Sequence, residues 1–176
     1  MNQEFLPAIY LGTLLILLGA LAIFVFKQIL KTRRVEKTFS TLKEKLIKES
    51  GTPKEYYELG SLYLDKKLYS QSINLFKKAL KAETELEPEN AALIYNALGY
   101  AYFAQDQYDL AIRQYKEALK LIPDYVTALN NLANIYEKKK LTAQALEMYE
   151  EALKVEPENT TAKSRAESLR KRFVAS

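Results

Sequence analysis

Residues 95–123 read YNALGYAYFAQDQYDLAIRQYKEALKLIP, and 34 residues later positions 129–157 read LNNLANIYEKKKLTAQALEMYEEALKVEP. The two stretches match at spaced aromatic, aliphatic and small residues. In the first these are Tyr95, Leu98, Gly99, Tyr102, Ala111, Tyr115, Ala118 and Pro123, and in the second Leu129, Leu132, Ala133, Tyr136, Ala145, Tyr149, Ala152 and Pro157. Each stretch therefore predicts one helical hairpin, in which rings fill the space between the helices and small residues let them approach.

An earlier copy of the same pattern lies 39 residues before the second one. Its matching residues are Tyr56, Leu59, Gly60, Tyr63, Ser72, Phe76 and Ala79. A period of 34 residues is that of the tetratricopeptide repeat. Five extra residues lie between Ala82 and Asn90, and we expect them to lengthen one helix by about a turn. The sequence predicts an all-α fold of three tetratricopeptide-repeat hairpins.

An apolar run without any charged residue precedes the repeats. It covers Phe5–Phe26, 22 residues, and a helix of that length spans about 33 Å, enough to cross a bilayer. A cleaved signal peptide is the alternative, because Ala20-Leu21-Ala22 resembles a cleavage site. The alternative is disfavoured because no Lys or Arg precedes the run and because it continues beyond that site. We therefore predict a single-pass transmembrane anchor.

The segment after the span is basic and has an amphipathic pattern. Five basic residues follow closely, so the positive-inside rule places the repeats on the cytoplasmic side or its organellar equivalent. They are Lys27, Lys31, Arg33, Arg34 and Lys37. An apolar stripe of Val35, Phe39, Leu42 and Leu46 runs along the same predicted helix. The stripe is expected to pack on the first repeat, with lipid contact or a two-stranded seam as alternatives.

Local signals also mark where the array begins and ends. Thr52-Pro53-Lys54-Glu55 is a capping box with proline in the first turn, so a new helix is expected near Pro53. At the other end a stripe predicts the helix that closes the array, while its basic face could instead touch a membrane surface. This stripe is Ala162, Ala166, Leu169 and Phe173.

Four segments are predicted in this order. They are a transmembrane anchor over 1–26, a basic amphipathic connecting helix over 27–51, three repeats over 52–159 (53–90, 91–125 and 126–159), and a capping helix with a basic tail over 160–176.

Composition narrows the chemistry that the chain can perform. It has no cysteine and no histidine, which removes disulfides, thiolate nucleophiles, imidazole bases and nearly every zinc or haem site. Its carboxylates, lysines and hydroxyls show no arrangement typical of a catalytic site. We therefore predict a protein that is not an enzyme and that has no cofactor or metal site.

Charge is distributed unevenly along the chain. Residues 27–50 carry eight basic and three acidic side chains, residues 53–159 carry 13 basic and 17 acidic, and the tail from Thr160 carries five basic and one acidic. Nucleic-acid binding usually needs a basic face across the folded domain. The repeat domain is acidic, so nucleic acid is not an expected partner.

Function is expected on the concave surface, which the first helix of each repeat lines in tetratricopeptide folds. The predicted partner-binding residues are apolar, aromatic and amide-bearing: Tyr57, Ser61, Leu64, Leu93, Asn96, Tyr100, Phe103, Asn130, Asn134 and Glu137. Aromatic anchors often dominate interface energy, and an Asn side chain bonds both the N–H and the C=O of a bound backbone. The prediction is a protein partner that offers an extended or helical segment, although any one of these residues could simply pack or face water.

A second use of the fold is a basic clamp that holds the C-terminal carboxylates of chaperones. The matching positions here are Tyr57, Ser61, Ala97, Thr127 and Asn131. None of them is basic, so chaperone-tail binding is not expected.

Taken whole, the anchor, the basic connecting helix, the three repeats and the basic tail resemble a known family. Leu121-Ile122-Pro123 and Val155-Glu156-Pro157 close the second and third copies in the usual tetratricopeptide manner. The chain is similar to the small tetratricopeptide assembly factors for photosystem I of cyanobacteria and red-algal plastids. That resemblance implies a thylakoid membrane protein with cytoplasmic or stromal repeats that binds photosystem I subunits or assembly intermediates. A membrane adaptor for another complex, or a regulatory subunit that positions an enzyme, are the alternatives.

Overall fold

The chain is helical wherever secondary structure forms in residues 6–82 and 86–174, the parts that this computed structural model describes; side chains are described for 10–82 and 86–171. The helices are α1 (Leu6–Lys48), α2 (Pro53–Asp65), α3 (Tyr69–Ala79), α4 (Pro88–Phe103), α5 (Tyr108–Leu121), α6 (Val126–Lys138), α7 (Thr142–Val155) and α8 (Thr160–Val174). No strand occurs in the described residues. The predicted all-α fold is confirmed.

Helix α1 covers the predicted span from Leu6 onward and continues into the basic segment without a break. In the described part of the chain it is the one helix long and apolar enough to cross a membrane. None of its side chains from Tyr10 to Lys45 is buried. The chain divides into two units, one ending at Lys45 and the other beginning at Leu46.

The second unit begins with the last residues of α1. Leu46 packs against the hydrophobic core of this unit, so the expected packing of the apolar stripe is confirmed for that residue. The other three stripe residues lie in the first unit, where Val35 is exposed.

The N-terminus of α2 has the predicted capping box. The Thr52 hydroxyl oxygen accepts a hydrogen bond from the Glu55 backbone N–H at 3.2 Å, and a Glu55 carboxylate oxygen accepts one from the Thr52 N–H at 3.0 Å. Pro53 occupies the first helical turn, where its missing N–H has no consequence. These local bonds place the start of the first repeat.

Helices α2 to α7 form three hairpins, α2–α3, α4–α5 and α6–α7, and α8 packs on α7. Successive hairpins stack, because the second helix of each contacts the first helix of the next. The first helices also contact one another, α2 with α4 and α4 with α6. The array therefore has one surface made by α2, α4 and α6.

The first two hairpins close around a ring packed on a glycine. A Cβ at Gly60 would lie 2.7 Å from a Phe76 ring carbon, and one at Gly99 would lie 2.7 Å from a Tyr115 ring carbon. Both rings are buried. The predicted close approach at these glycines is confirmed, and its partner is the large residue of the second helix.

All three hairpin turns have the same backbone geometry. Lys67, Asp106 and Lys140 have φ of 59°, 58° and 60°, in the left-handed region. In each turn the next N–H donates to the carbonyl of the repeat's tyrosine, Tyr63, Tyr102 or Tyr136, at 2.8–3.0 Å. This bond satisfies a carbonyl that the helix end leaves open.

The five extra residues before the second repeat lengthen α4. It has 16 residues, whereas α2 and α6 have 13 each. In the repeat register Ala92 corresponds to Pro53 and Val126, so α4 begins four residues early, at Pro88. The expected extra turn is confirmed, while Glu83 and Glu85 of the same stretch lie outside the described residues.

Helix α8 closes the array as predicted. Ala162 and Ala166 are fully buried and Leu169 is nearly so, whereas the Phe173 side chain lies outside the described ones. Two basic residues of this helix form ion pairs within the domain: Arg165 Nε lies 2.9 Å from Glu137 Oε1, and Arg170 Nη2 lies 2.6 Å from Glu150 Oε1. Part of the basic face of the tail is thus paired with carboxylates of the repeats.

Candidate functional site

The ten predicted partner-binding residues all lie on the first helices of the repeats, α2, α4 and α6. We call this set the groove face. Leu93 and Tyr100 are exposed, and the other eight are half-buried. The structure brings these residues onto helices that touch one another, although the three repeats use them differently.

Repeat 2 carries the aromatic part of the groove face. The Tyr100 and Phe103 ring centroids are 6.3 Å apart, and those of Phe103 and Tyr108 are 5.9 Å apart. Phe103 also packs against the core, whereas Tyr100 remains 46% exposed. The Tyr100 ring is therefore exposed while its contact with Phe103 holds it in place.

An open pocket lies between the N-terminal ends of α2 and α4. Its volume is about 470 Å³, and it is lined by Thr52, Pro53, Lys54, Tyr57, Leu86, Asn90, Leu93 and Ile94. Two groove-face residues, Tyr57 and Leu93, contribute to its apolar wall. The Tyr57 ring is steadied by Phe76, with centroids 5.7 Å apart.

Tyr57 and Leu93 were in the predicted partner-binding set, and the other six lining residues were not; two of those six lie just before the second repeat. Leu86 and Asn90 belong to the stretch that precedes the repeat register of α4, Asn90 on its extra turn and Leu86 just before the helix. The 39-residue interval between the first two copies was the available signal, and it predicted only a longer helix. Leu86 and Asn90 thus add a wall to the pocket beside α2.

An amide pair joins the middle of the groove face. Asn131 Nδ2 on α6 donates to Asn96 Oδ1 on α4 at 3.0 Å. The Asn96 oxygen is therefore already bonded within the domain, and among the described residues no hydrogen bond from its Nδ2 is found. Asn131, one of the positions compared with the chaperone clamp, thus joins repeats 2 and 3 through this hydrogen bond.

The polar residues of repeat 3 are bound to the end of the array. Asn130 Nδ2 donates to Asn159 Oδ1 at 3.3 Å, and the same Asn159 oxygen accepts the Ala162 N–H at 2.9 Å at the start of α8. Glu137 accepts hydrogen bonds from the Tyr149 hydroxyl and from Arg165 Nε, both at 2.9 Å. Burial, together with this bond to Glu137, raises the pKa of Tyr149 to about 12. Asn130 and Glu137 thus hold the capping helix.

The remaining members of the groove face have local roles. The Ser61 hydroxyl donates to the Tyr57 carbonyl at 2.9 Å, and Leu64 packs against the core. Asn134 lies half-buried on α6 between Asn130 and Glu137. Tyr57, Leu93 and Tyr100 therefore provide most of the exposed apolar surface of the groove face.

Family models match the chain in three places. Models described as "Tetratricopeptide repeat" match residues 56–85 and 126–159, and one described as "TPR repeat" matches 99–140. A fold of this kind is typical of protein-interaction modules and not of enzymes.

Relatives come from plastid-bearing organisms. The chain is 42% identical over 144 residues to "Uncharacterized protein ycf37" of Cyanophora paradoxa, covering 82% of this chain and 83% of that one. It is 35% identical to the ycf37 protein of Guillardia theta, covering 76% and 75%. It is also 36% identical to "Tetratricopeptide repeat domain-containing protein PYG7, chloroplastic" of Arabidopsis thaliana, covering 97% of this chain but 58% of that longer protein.

Solved structures share the fold at low sequence identity. The structure of MamA superposes with a TM-score of 0.69 at 23% identity, covering 77% of this chain and 76% of MamA. YrrB, described as a TPR protein with an unusual peptide-binding site, superposes with a TM-score of 0.66 at 20% identity, covering 81% and 71%. These likenesses establish the helical array.

Proposed function

This chain belongs to the ycf37 family of tetratricopeptide-repeat proteins, and from that premise we propose that it is a membrane-anchored scaffold that binds protein segments during the assembly or stabilisation of photosystem I. In this role the protein is a helper and not a subunit of the finished complex. The partner is a segment of a photosystem I subunit or assembly intermediate that faces the same side of the membrane as the repeats.

The observation that carries this proposal is the apolar, aromatic part of the groove face. Tyr100 and Leu93 stay exposed on α4, and Leu93 borders the pocket that Tyr57 and the inserted residues complete. Rings and aliphatic side chains of this kind supply most of the binding energy where a partner residue fills a pocket. The groove face therefore offers a place for one or two large apolar side chains of a bound segment.

The three repeats of this scaffold have different roles. Repeats 1 and 2 hold the segment through Tyr57, Leu93 and Tyr100, and Asn96 has donors left for the backbone of that segment. Repeat 3 keeps the array closed, since Glu137 accepts a hydrogen bond from Arg165 of α8 and Asn130 donates one to Asn159, the residue just before α8. On this proposal the third repeat supports binding without supplying its anchors.

Because the scaffold is tethered at the membrane, a modest affinity of the groove face for its partner segment is sufficient for binding. We place α1 across the thylakoid membrane as a single pass, with the repeats on the cytoplasmic or stromal side. The chloroplastic relative and the length and apolar character of α1 support this placement. Confining the scaffold and its client to the same membrane raises their effective concentration without adding a contact.

The proposal is tested by capture of photosystem I subunits from the native membrane. Tagged full-length protein is purified in mild detergent and its companions are identified by mass spectrometry. The variant Leu93→Ala with Tyr100→Ala removes the two exposed anchors and leaves Phe103, which packs on the core, in place. We expect at least tenfold less photosystem I protein to be recovered, since loss of two anchors costs about 2–4 kcal/mol.

A matched control removes exposed apolar residues from the second helices. Leu110→Ala with Val155→Ala changes two residues that are 42% and 44% exposed, and it should recover photosystem I protein as the unaltered chain does. Both variants should keep the same helicity and urea midpoint. Unchanged recovery by the Leu93/Tyr100 variant would reject the groove face, and consistent recovery of a different complex would replace photosystem I as the partner.

A further inference from the structure

The half of α1 that follows the apolar run carries a dense basic segment. Between positions 27 and 37 there are five Lys/Arg and one acidic residue, Glu36. All five basic side chains are exposed. One carboxylate can neutralise only one of them, so this stretch of helix keeps a charge excess whatever pairs form within it.

Three of the basic residues share one face of the helix. Lys27, Lys31 and Arg34 are spaced by four and three, which places them in one row. Together with Leu30 and Val35 they border a shallow concavity of about 310 Å³. The surface is therefore an apolar floor with cations around it.

The position of this surface along α1 suits the lipid headgroup region. At about 1.5 Å rise per residue, Lys27 to Lys37 extends about 15 Å from the last residue of the apolar run. Headgroups and the screened potential of an anionic leaflet extend over a similar distance, because the Debye length is about 8 Å at physiological salt. Long basic side chains reach phosphates there while their stems cover apolar surface.

We propose that residues 27–37 form a binding site for anionic lipid headgroups, in which Lys27, Lys31 and Arg34 contact the headgroup around the apolar floor that Leu30 and Val35 form. This inference rests on the proposed membrane anchor and adds a lipid preference to it. The site holds the end of the span at a fixed depth in a leaflet that contains phosphate- or sulfonate-bearing lipids. The basic tail is a weaker candidate, because Arg165 and Arg170 already pair with carboxylates of the repeats.

Lipid composition around the full-length protein tests the site. The protein is reconstituted into vesicles of phosphatidylcholine containing a minority of phosphatidylglycerol, extracted in mild detergent, and its retained lipids are measured by mass spectrometry. We expect phosphatidylglycerol to be enriched over its bulk fraction. In the variant Lys27→Gln with Lys31→Gln and Arg34→Gln, the enrichment of phosphatidylglycerol should be lost. Its affinity for the protein should fall at least tenfold, since each basic residue near an anionic surface raises that affinity about fivefold.

Two further variants separate position from total charge. Lys116→Gln with Lys163→Gln and Lys171→Gln removes the same number of charges from the repeat domain and should keep the enrichment. Lys27→Arg with Lys31→Arg should keep it as well, because both side chains remain cationic. An equal loss in the repeat-domain variant, or full enrichment in the Lys27/Lys31/Arg34 variant, would overturn the site.

The same reconstitution distinguishes the site from the anchor. Retention of the protein in vesicles after alkaline carbonate washing reports insertion, which the substitutions at 27, 31 and 34 leave intact. Insertion without phosphatidylglycerol enrichment would overturn the lipid site alone. Failure to insert into either kind of vesicle would overturn the anchor and the site together.

Discussion

Single side chains control how tightly the hairpins of this array close. Gly60 and Gly99 each face a buried ring at a distance that leaves no room for a Cβ. The third repeat has Ala133, fully buried, at the same position, so the repeat admits a methyl group there only where the rest of the hairpin accommodates it. The sequence pattern predicted a small residue at this position, and the structure identifies the ring that packs against it.

Gly99→Ala should therefore destabilise the domain. Its new methyl group would press on the Tyr115 ring, and overpacking costs about 1–3 kcal/mol, of which a better helix former returns up to about 1 kcal/mol. A net loss of about 1–2 kcal/mol in the free energy of unfolding by urea checks this. Gly19→Ala, with nothing within 4 Å of the added Cβ, should leave the repeat domain unchanged; equal stability of Gly99→Ala and the unaltered chain would contradict the packing argument.

Ser72 places a buried hydroxyl at a position where the second and third repeats have alanine. It is fully buried on α3, and its hydroxyl has no hydrogen-bond partner among the described atoms. A buried hydroxyl without a partner costs about 1–3 kcal/mol. Ser72→Ala should therefore raise the free energy of unfolding by about 1 kcal/mol or more, as measured by urea or thermal denaturation.

The reciprocal change provides the control for Ser72. Ala111 is fully buried at the equivalent position of the second repeat, so Ala111→Ser should lower stability by a similar amount. If Ser72→Ala destabilised the domain, its hydroxyl would have to contribute a bond that the structure does not contain.

Among the helices, α8 has a larger role than its composition indicates. It is rich in basic residues, yet it buries Ala162, Ala166 and Leu169 against the array, and its Arg165 donates a hydrogen bond to Glu137 of the groove face. Asn159 carries this coupling, since its oxygen accepts both from Asn130 and from the first turn of α8. The cap and the third repeat thus form one cooperative end.

Shortening one apolar side chain of α8 should destabilise that end. Leu169→Ala should cost about 2–3 kcal/mol, because the residue is 2% exposed and a buried leucine leaves a cavity. Hydrogen exchange should show the largest loss of protection in α7 and α8. Glu167→Ala, an exposed change on the same helix, should have little effect; uniform loss of protection over all three repeats would instead indicate a single all-or-none unit.

Across the whole molecule, the apolar run and the buried core belong to separate units. Among the described side chains, every buried residue of the core lies between Tyr56 and Leu169, in the unit that begins at Leu46. The described side chains from Tyr10 to Lys45 contribute none. The described residues of α1 before Leu46 therefore add nothing to the buried core of the repeats.

A fragment of residues 46–176 should accordingly fold in the absence of detergent. We expect it to be soluble, helical by circular dichroism and cooperative in urea, whereas the full chain should require detergent or lipid. The matched comparison is the urea midpoint of the full chain in mild detergent, which should be close to that of the fragment. Aggregation of the fragment, or loss of its cooperative transition, would show that the repeats depend on α1.

Interactions close in sequence account for what could be predicted. The capping box at Thr52 and the closing helix follow from propensity and spacing within a few residues, and the repeats and the extra turn of α4 follow from comparing the copies along the sequence; the structure confirms each. The choice among groove-face residues could not be made this way. Asn130 has the residue type of a ligand-binding amide, but a partner 29 residues away occupies its Nδ2.

The sequence by itself determined that this protein is a three-repeat helical array with a long apolar helix before it, because both are periodic or compositional properties of contiguous segments. The tertiary structure decided which side chains remain exposed. It joined Asn96 to Asn131, bound Glu137 to α8, and turned a five-residue insertion into one wall of a pocket. Those outcomes depend on neighbours that come together only when the hairpins stack, and no local pattern specifies them.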